Sequence, residues 1–107
     1  MCGITGVYFF REDVFPFKGR VEKAVSSLSK RGPDDSGIFT EKQVALGHAR
    51  LSIIDTSDAA SQPFTDFSDR YTIVFNGEFF NFQYYRDYLI KKGVQLKSQS
   101  DTEVLLN

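Results

Sequence analysis

The spacing of apolar and polar residues changes period several times along the chain, and each change predicts an element. Residues 4–10 form a nearly continuous apolar run, interrupted by Thr5 and Gly6 and rich in β-branched and aromatic side chains. Such a run predicts a strand buried on both faces. Charges and a proline across residues 11–18 predict a surface connection. From residue 20 to 30, Val21, Ala24, Val25 and Leu28 recur at i, i+3, i+4 and i+7, the stripe of an amphipathic helix that needs a sheet to pack on. Pro33 cannot continue a helical ladder, so the helix ends at Arg31-Gly32-Pro33-Asp34-Asp35-Ser36-Gly37. Short strands are expected at 38–40, 44–48 and 51–54. The polar stretch 56–69 predicts an exposed loop with one anchored aromatic in Gln62-Pro63-Phe64, and 71–75 predicts a strong strand. Residues 81–92 predict a helix with Tyr85, Tyr88 and Leu89 on one face and Gly93 as its stop. A further strand is expected at 94–97. Ser100-Asp101-Thr102-Glu103 has the capping-box spacing and opens a last helix into Val104-Leu105-Leu106. A helix that starts so near the last residue implies a domain that continues, because one or two turns do not persist without a packing surface.

Composition narrows the class. The 107 residues, 41% of them apolar, suffice for one compact domain with a modest core. Thirteen basic against fourteen acidic residues leave a net charge of -1, so no basic excess points to nucleic acid or an anionic membrane. No apolar run approaches the 18 or more residues of a membrane span. The chain opens without a secretory leader, which makes a cytoplasmic, soluble protein the expectation. One Cys and one His exclude an internal disulfide and make a Cys/His zinc site implausible, while the count does not exclude a carboxylate-rich metal site; no metal-binding residue is assigned.

The single cysteine is residue 2. Removal of Met1 would leave Cys2 with a free α-amine beside its thiol. α-Amines in general have a pKa of roughly 7.7 to 8.0 and free thiols about 8.5, so near neutrality a group of one kind can take the proton that the other must lose. A small buried hydrophobe is the bland alternative. Four other segments join polar residues to turn chemistry. Arg31 to Gly37 reads as a helix-stopping loop. Arg50, between two apolar stretches, is either a solvated strand-end cation or a group shaped to grip a carboxylate with paired hydrogen bonds. Asn76-Gly77 is a hairpin turn or a pair of donors for a developing oxyanion. Asp101 is a first-turn helix acid or a partner for a ligand ammonium.

In combination, Met1-Cys2-Gly3-Ile4, Arg31-Gly32-Pro33-Asp34, Arg50-Leu51-Ser52-Ile53-Ile54-Asp55, Gln62-Pro63-Phe64, Asn76-Gly77-Glu78 and Ser100-Asp101-Thr102-Glu103 resemble the glutaminase half of glutamine-hydrolysing asparagine synthetases. These belong to the class II glutamine amidotransferases, which are N-terminal nucleophile hydrolases. The resemblance runs from the first residue to the last, and six segments in order are far more specific than any one. It implies an α+β fold, the four-layer αββα sandwich of that class, of which this chain would be the first half. Residues 1–107 would then be the N-terminal part of a type 2 glutamine amidotransferase domain.

The resemblance also implies roles. Cys2 would attack the side-chain amide of glutamine and form a thioester, with Asn76 and Gly77 meeting the oxyanion. Arg50 would hold the substrate carboxylate, Asp101 and Glu78 its ammonium, and backbone groups of Leu51, Ser52, Ile53 and Ile54 would line the pocket. Ammonia would serve the ATP-dependent amidation of aspartate in a synthetase domain of the same protein, and a homodimer of that parent is allowed. No cofactor is expected in this segment. ATP and Mg belong to the synthetase domain, whose Ser-Gly-Gly motif has no counterpart here. Two alternatives stay open: a non-catalytic fragment or glutamine-binding regulatory module, and a related synthetase of polysaccharide or antibiotic assembly. The chain departs from the pattern of the family it resembles at Phe80, where a tyrosine is usual, and at Lys30, where a histidine is common.

Overall fold

A computed structural model describes residues 2–52 and 56–107. Its centre is an antiparallel sheet of three strands, β1 (Gly3–Tyr8), β2 (Asp35–Glu41) and β3 (Val44–Arg50), in the order β1-β3-β2. The register pairs Gly3 with Ala49 and Tyr8 with Val44 on one side of β3, and Asp35 with Arg50 and Glu41 with Val44 on the other. Since side chains alternate across a strand, this register puts Ala45, Gly47 and Ala49 on one face and His48 and Arg50 on the other.

Helix α1 (Lys18–Ser27) covers the small-residue face. It buries Val21 and Val25, the heart of the predicted stripe, and Val21 joins Val14 and Ala45 in a core cluster to which Val7, Phe9 and Ile38 pack. Val14 corrects the sequence expectation: it lies in the predicted surface connection yet is fully buried, its N–H donating to the Lys42 carbonyl at 2.8 Å. The helix ends at Ser27 in a turn over Leu28 and Arg31, before Pro33 is reached.

On the other face lies a two-stranded sheet of β4 (Phe64–Thr65) and β5 (Thr72–Ile73). Gly37 lets it approach, since a Cβ there would stand 2.6 Å from the Gln62 carbonyl oxygen. A groove of about 510 Å³, lined by Phe39 and Leu46 below and Thr65 and Thr72 above, separates the two sheets farther along. This layer reaches β2 and β3 but leaves β1 uncovered. Ile4 and Tyr8 are therefore 47% and 59% exposed, and β1 is buried on one face instead of two.

The remaining elements are α2 (Phe82–Lys91) and α3 (Asp101–Leu106), which pack on each other. Gly93, at φ +82°, stops α2 as its position implied. Other expectations need correction. Only Thr72–Ile73 of the predicted strand 71–75 pairs. Residues 94–97 are irregular, as are Leu51 and Ser52, and the rest of the predicted strand 51–54 lies outside the described residues. The loop 56–69 anchors Phe64 as expected but also buries Ala60, Gln62 and Asp66. The fold is mixed helix and sheet, in the α+β class. Among the described residues no helix is long and apolar enough to cross a membrane.

Candidate active site

Cys2 lies half-buried just before β1, beside the end of β3. The Leu51 N–H donates to its sulfur at 3.2 Å, and the thiol lies 3.6 Å from the Leu51 carbonyl oxygen. The Arg31-Gly32-Pro33-Asp34 loop secures this corner. Arg31 Nε donates to the Cys2 carbonyl at 3.3 Å. The Asp34 N–H donates to the Arg50 carbonyl at 2.9 Å, and Asp34 Oδ2 accepts the Ser52 N–H at 2.8 Å. Gly32 is required by contact: a Cβ there would stand 2.2 Å from the Ala49 carbonyl. A motif that reads as a helix stop thus grips both chain segments flanking the thiol.

A cavity of about 80 Å³ opens at Cys2. Of the predicted site residues, Cys2, Arg50, Leu51, Gly77, Glu78 and Asp101 line it. Arg50 is buried at the end of β3, with Nη1 donating to the Ser57 carbonyl at 2.9 Å. Asp101 is the buried first residue of α3, and its Oδ2 accepts the Phe79 N–H at 2.9 Å. Oδ1 makes no hydrogen bond among the described residues. Cation and anion therefore face one small space from opposite elements, the arrangement a zwitterion requires.

Two predicted residues do not reach the lining. Asn76 is half-buried in the irregular segment after β5 and stays outside it, although Gly77 lines the cavity. Ser52 does not line it, and its N–H donates instead to Asp34 Oδ2. Ile53 and Ile54 lie outside the described residues.

Five lining residues had no part in the site assigned from sequence: Ala60, Gln62, Phe75, Ser100 and Thr102. The Gln62-Pro63-Phe64 string signalled Gln62 without showing its task. Gln62 is buried, with Oε1 accepting the Phe75 N–H at 2.6 Å and Nε2 donating to Thr102 Oγ1 at 3.2 Å. Behind Phe75, the fully buried His48 donates from Nε2 to the Phe75 carbonyl at 3.2 Å. That carbonyl can only accept, so the proton sits on Nε2, and the buried Nδ1 has no partner among the described residues. Burial holds the imidazole below its ordinary pKa, with Arg50 adding to that effect, while the Phe75 carbonyl and Asp35 oppose it.

The capping box at α3 forms by half. Ser100 Oγ accepts the Glu103 N–H at 3.2 Å. The Glu103 carboxylate instead takes three donors upstream, Lys97 N–H at 2.6 Å and the Ser98 N–H and hydroxyl at 2.7 Å each. This fully buried carboxylate folds residues 97–100 into the loop that delivers Asp101. Among the described residues no group of three or more His, Cys, Asp or Glu side chains could hold a metal ion.

A family model described as a glutamine amidotransferase domain matches residues 1–107. Glutamine-hydrolyzing asparagine synthetase 3 of Bacillus subtilis is 42% identical over 109 residues, covering 100% of this chain and 18% of the relative. Asparagine synthetase 1 of the same organism is 37% identical, covering 99% and 17%. Asparagine synthetase B of Escherichia coli is 33% identical, covering 99% and 19%. The chain thus spans less than a fifth of the length of these relatives. With a cysteine, an arginine and an aspartate converging on one cavity and the whole chain matching, the chain belongs to the glutamine amidotransferase domain family, in the form found in the glutamine-hydrolysing asparagine synthetases.

Proposed function

We propose that this chain is the N-terminal part of a type 2 glutaminase domain, folded as part of a four-layer αββα sandwich. It hydrolyses glutamine to glutamate and ammonia for the ATP-dependent amidation of aspartate by a synthetase domain of the full-length protein. The observation that carries the reading is the convergence of Cys2, Arg50, Gly77, Glu78 and Asp101 on one cavity.

In this reading Arg50 receives the substrate carboxylate, while Asp101 and Glu78 receive its ammonium. That leaves the side-chain amide directed at Cys2. With Met1 removed, the α-amine takes the thiol proton as Sγ bonds to the amide carbon. The oxyanion that develops is met by the Gly77 N–H, and by the Asn76 amide once that side chain turns in from its place outside the cavity lining, a contribution worth about a hundredfold to a thousandfold in rate per donor. The C–N bond then breaks, the amine returns its proton to the departing ammonia, and a thioester remains. Water attacks the thioester, releasing glutamate and restoring the thiol.

One observation favours a second reading, a module that binds glutamine without turning it over: the Asn76 side chain does not line the cavity. Glutamate release by the full-length protein and its Cys2→Ala form separates the two. Activity abolished by the substitution supports catalysis, and no activity in either supports the binding module. Equal activity in both sinks the assignment of Cys2.

A further inference from the structure

The groups that would recognise glutamine sit on separate segments, with Gly77 and Glu78 in the irregular stretch after β5 and Asp101 at the start of α3. Their mutual placement needs a physical link, because the β4-β5 ladder ends at Ile73 and extends no further. Phe75 lies two residues beyond that ladder. Its N–H and C=O, which a strand would pair with backbone, are instead met by two buried side chains, Gln62 Oε1 at 2.6 Å and His48 Nε2 at 3.2 Å.

Gln62 does more than satisfy one amide. The Phe75 N–H must be accepted by a carbonyl oxygen, which fixes the orientation of the Gln62 amide and sends Nε2 to Thr102 Oγ1 at 3.2 Å. Thr102 is next to Asp101, and Phe75 is two residues from Gly77. A single buried amide thus spans from the backbone that carries the oxyanion donor to the helix that carries the ammonium partner. Asp101 Oδ2 adds a second tie, accepting the N–H of Phe79 from the same irregular stretch.

We infer that Gln62 is a positioning residue of the glutaminase site, setting the spacing between Gly77 and Asp101 through its paired bonds to Phe75 and Thr102. This rests on the glutaminase reading above. Gln62 lines the cavity but is assigned no contact with the reacting atoms, so its effect on catalysis runs through the backbone it holds. A misplacement of about 1 Å in such an arrangement costs on the order of a hundredfold in rate.

The test compares full-length wild type with Gln62→Leu, Gln62→Glu, Thr102→Val and the Gln62→Glu/Thr102→Val pair, with kcat and KM for glutamine hydrolysis normalised to the folded fraction measured by circular dichroism. Gln62→Leu removes both bonds and is expected to lower kcat by about ten- to a hundredfold, by more than it raises KM. Glutamate at position 62 can accept from the Phe75 N–H and, once the Thr102 hydroxyl rotates, from Thr102 as well. Gln62→Glu should therefore recover most of the lost kcat, and the added Thr102→Val should cancel that recovery. If Gln62→Leu does not fold, Thr102→Val decides alone: it cuts one bond of the pair and should still lower kcat about threefold or more. A folded Gln62→Leu, or failing that a folded Thr102→Val, with kcat within twofold of wild type overturns the inference. So does a loss that disappears on normalisation to folded protein. Glutaminase activity that is absent from wild type, or unchanged in Cys2→Ala, overturns the underlying reading and this inference together, which is a different outcome from an active wild type with an indifferent Gln62.

Discussion

The backbone N–H of Leu51 lies 3.2 Å from the sulfur of Cys2, 49 residues away in sequence. A donor at that distance stabilises charge on sulfur, so the path of the Leu51–Ser52 backbone matters to the thiol. That path is held by Asp34, which accepts from the Ser52 N–H and donates its own N–H to Arg50. Asp34→Ala removes the first of these bonds and keeps the second. The expected result is a folded protein, destabilised by about 1 kcal/mol, with glutamine hydrolysis lowered about tenfold. Thermal unfolding and glutamate release check it, and unchanged turnover would break the link from Asp34 to the thiol.

Asp101 offers a cleaner separation of structure from charge. Asparagine at 101 keeps a carbonyl oxygen for the Phe79 N–H, so the 2.9 Å bond that holds the irregular stretch survives. Only the negative charge facing the cavity is lost. Asp101→Asn should leave the melting temperature nearly unchanged and raise KM for glutamine by about tenfold or more, the worth of a charged hydrogen bond. A KM within twofold of wild type would remove Asp101 from ammonium recognition.

What was legible in the chain follows from how local each signal is. The α1 stripe and the Ser100 cap are written within a few residues, and both form near their expected places. The burial of β1 depends on how far the β4-β5 layer extends over the sheet, which no pattern within residues 4–10 reports. Val14 was hidden by its charged neighbours Glu12 and Asp13. Motif strings brought Cys2, Arg50, Gly77, Glu78 and Asp101 into view, which line the cavity, and also Asn76 and Ser52, which do not. The clamp on Phe75 was not visible, because His48, Gln62 and Thr102 meet only through contacts 13 to 40 residues apart. Buried polar groups of this kind are placed by tertiary structure, so residue type alone does not reveal their partners.

Glu103 carries a comparable load for stability. Its carboxylate satisfies three donors in a site with no exposure, so Glu103→Ala strands the Lys97 and Ser98 groups without partners. A loss of about 3 kcal/mol is expected, since each buried unsatisfied group costs on the order of 1 to 3 kcal/mol. Glu103→Gln retains an oxygen acceptor and should lose less. Chemical denaturation of both variants tests the order, and equal stability of Glu103→Ala and wild type would mean that the loop 97–100 is held some other way.

His48 predicts a pH dependence whose sign is set by burial. In the unfolded chain the imidazole titrates near 6.5, and in the folded chain it titrates lower, chiefly because it is buried. Between those two values the unfolded chain binds a proton that the folded chain refuses, so acid favours unfolding. The contribution of His48 is complete above about pH 6.5 and is lost progressively as the pH falls from there to the folded pKa. His48→Gln keeps an N–H donor for the Phe75 carbonyl but cannot titrate. Melting temperatures at pH 7, 6 and 5 should therefore fall more steeply for wild type than for His48→Gln, with other titrating groups common to both. Parallel curves would mean that the imidazole accepts its proton without leaving the folded site, and that Nδ1 has a partner in solution.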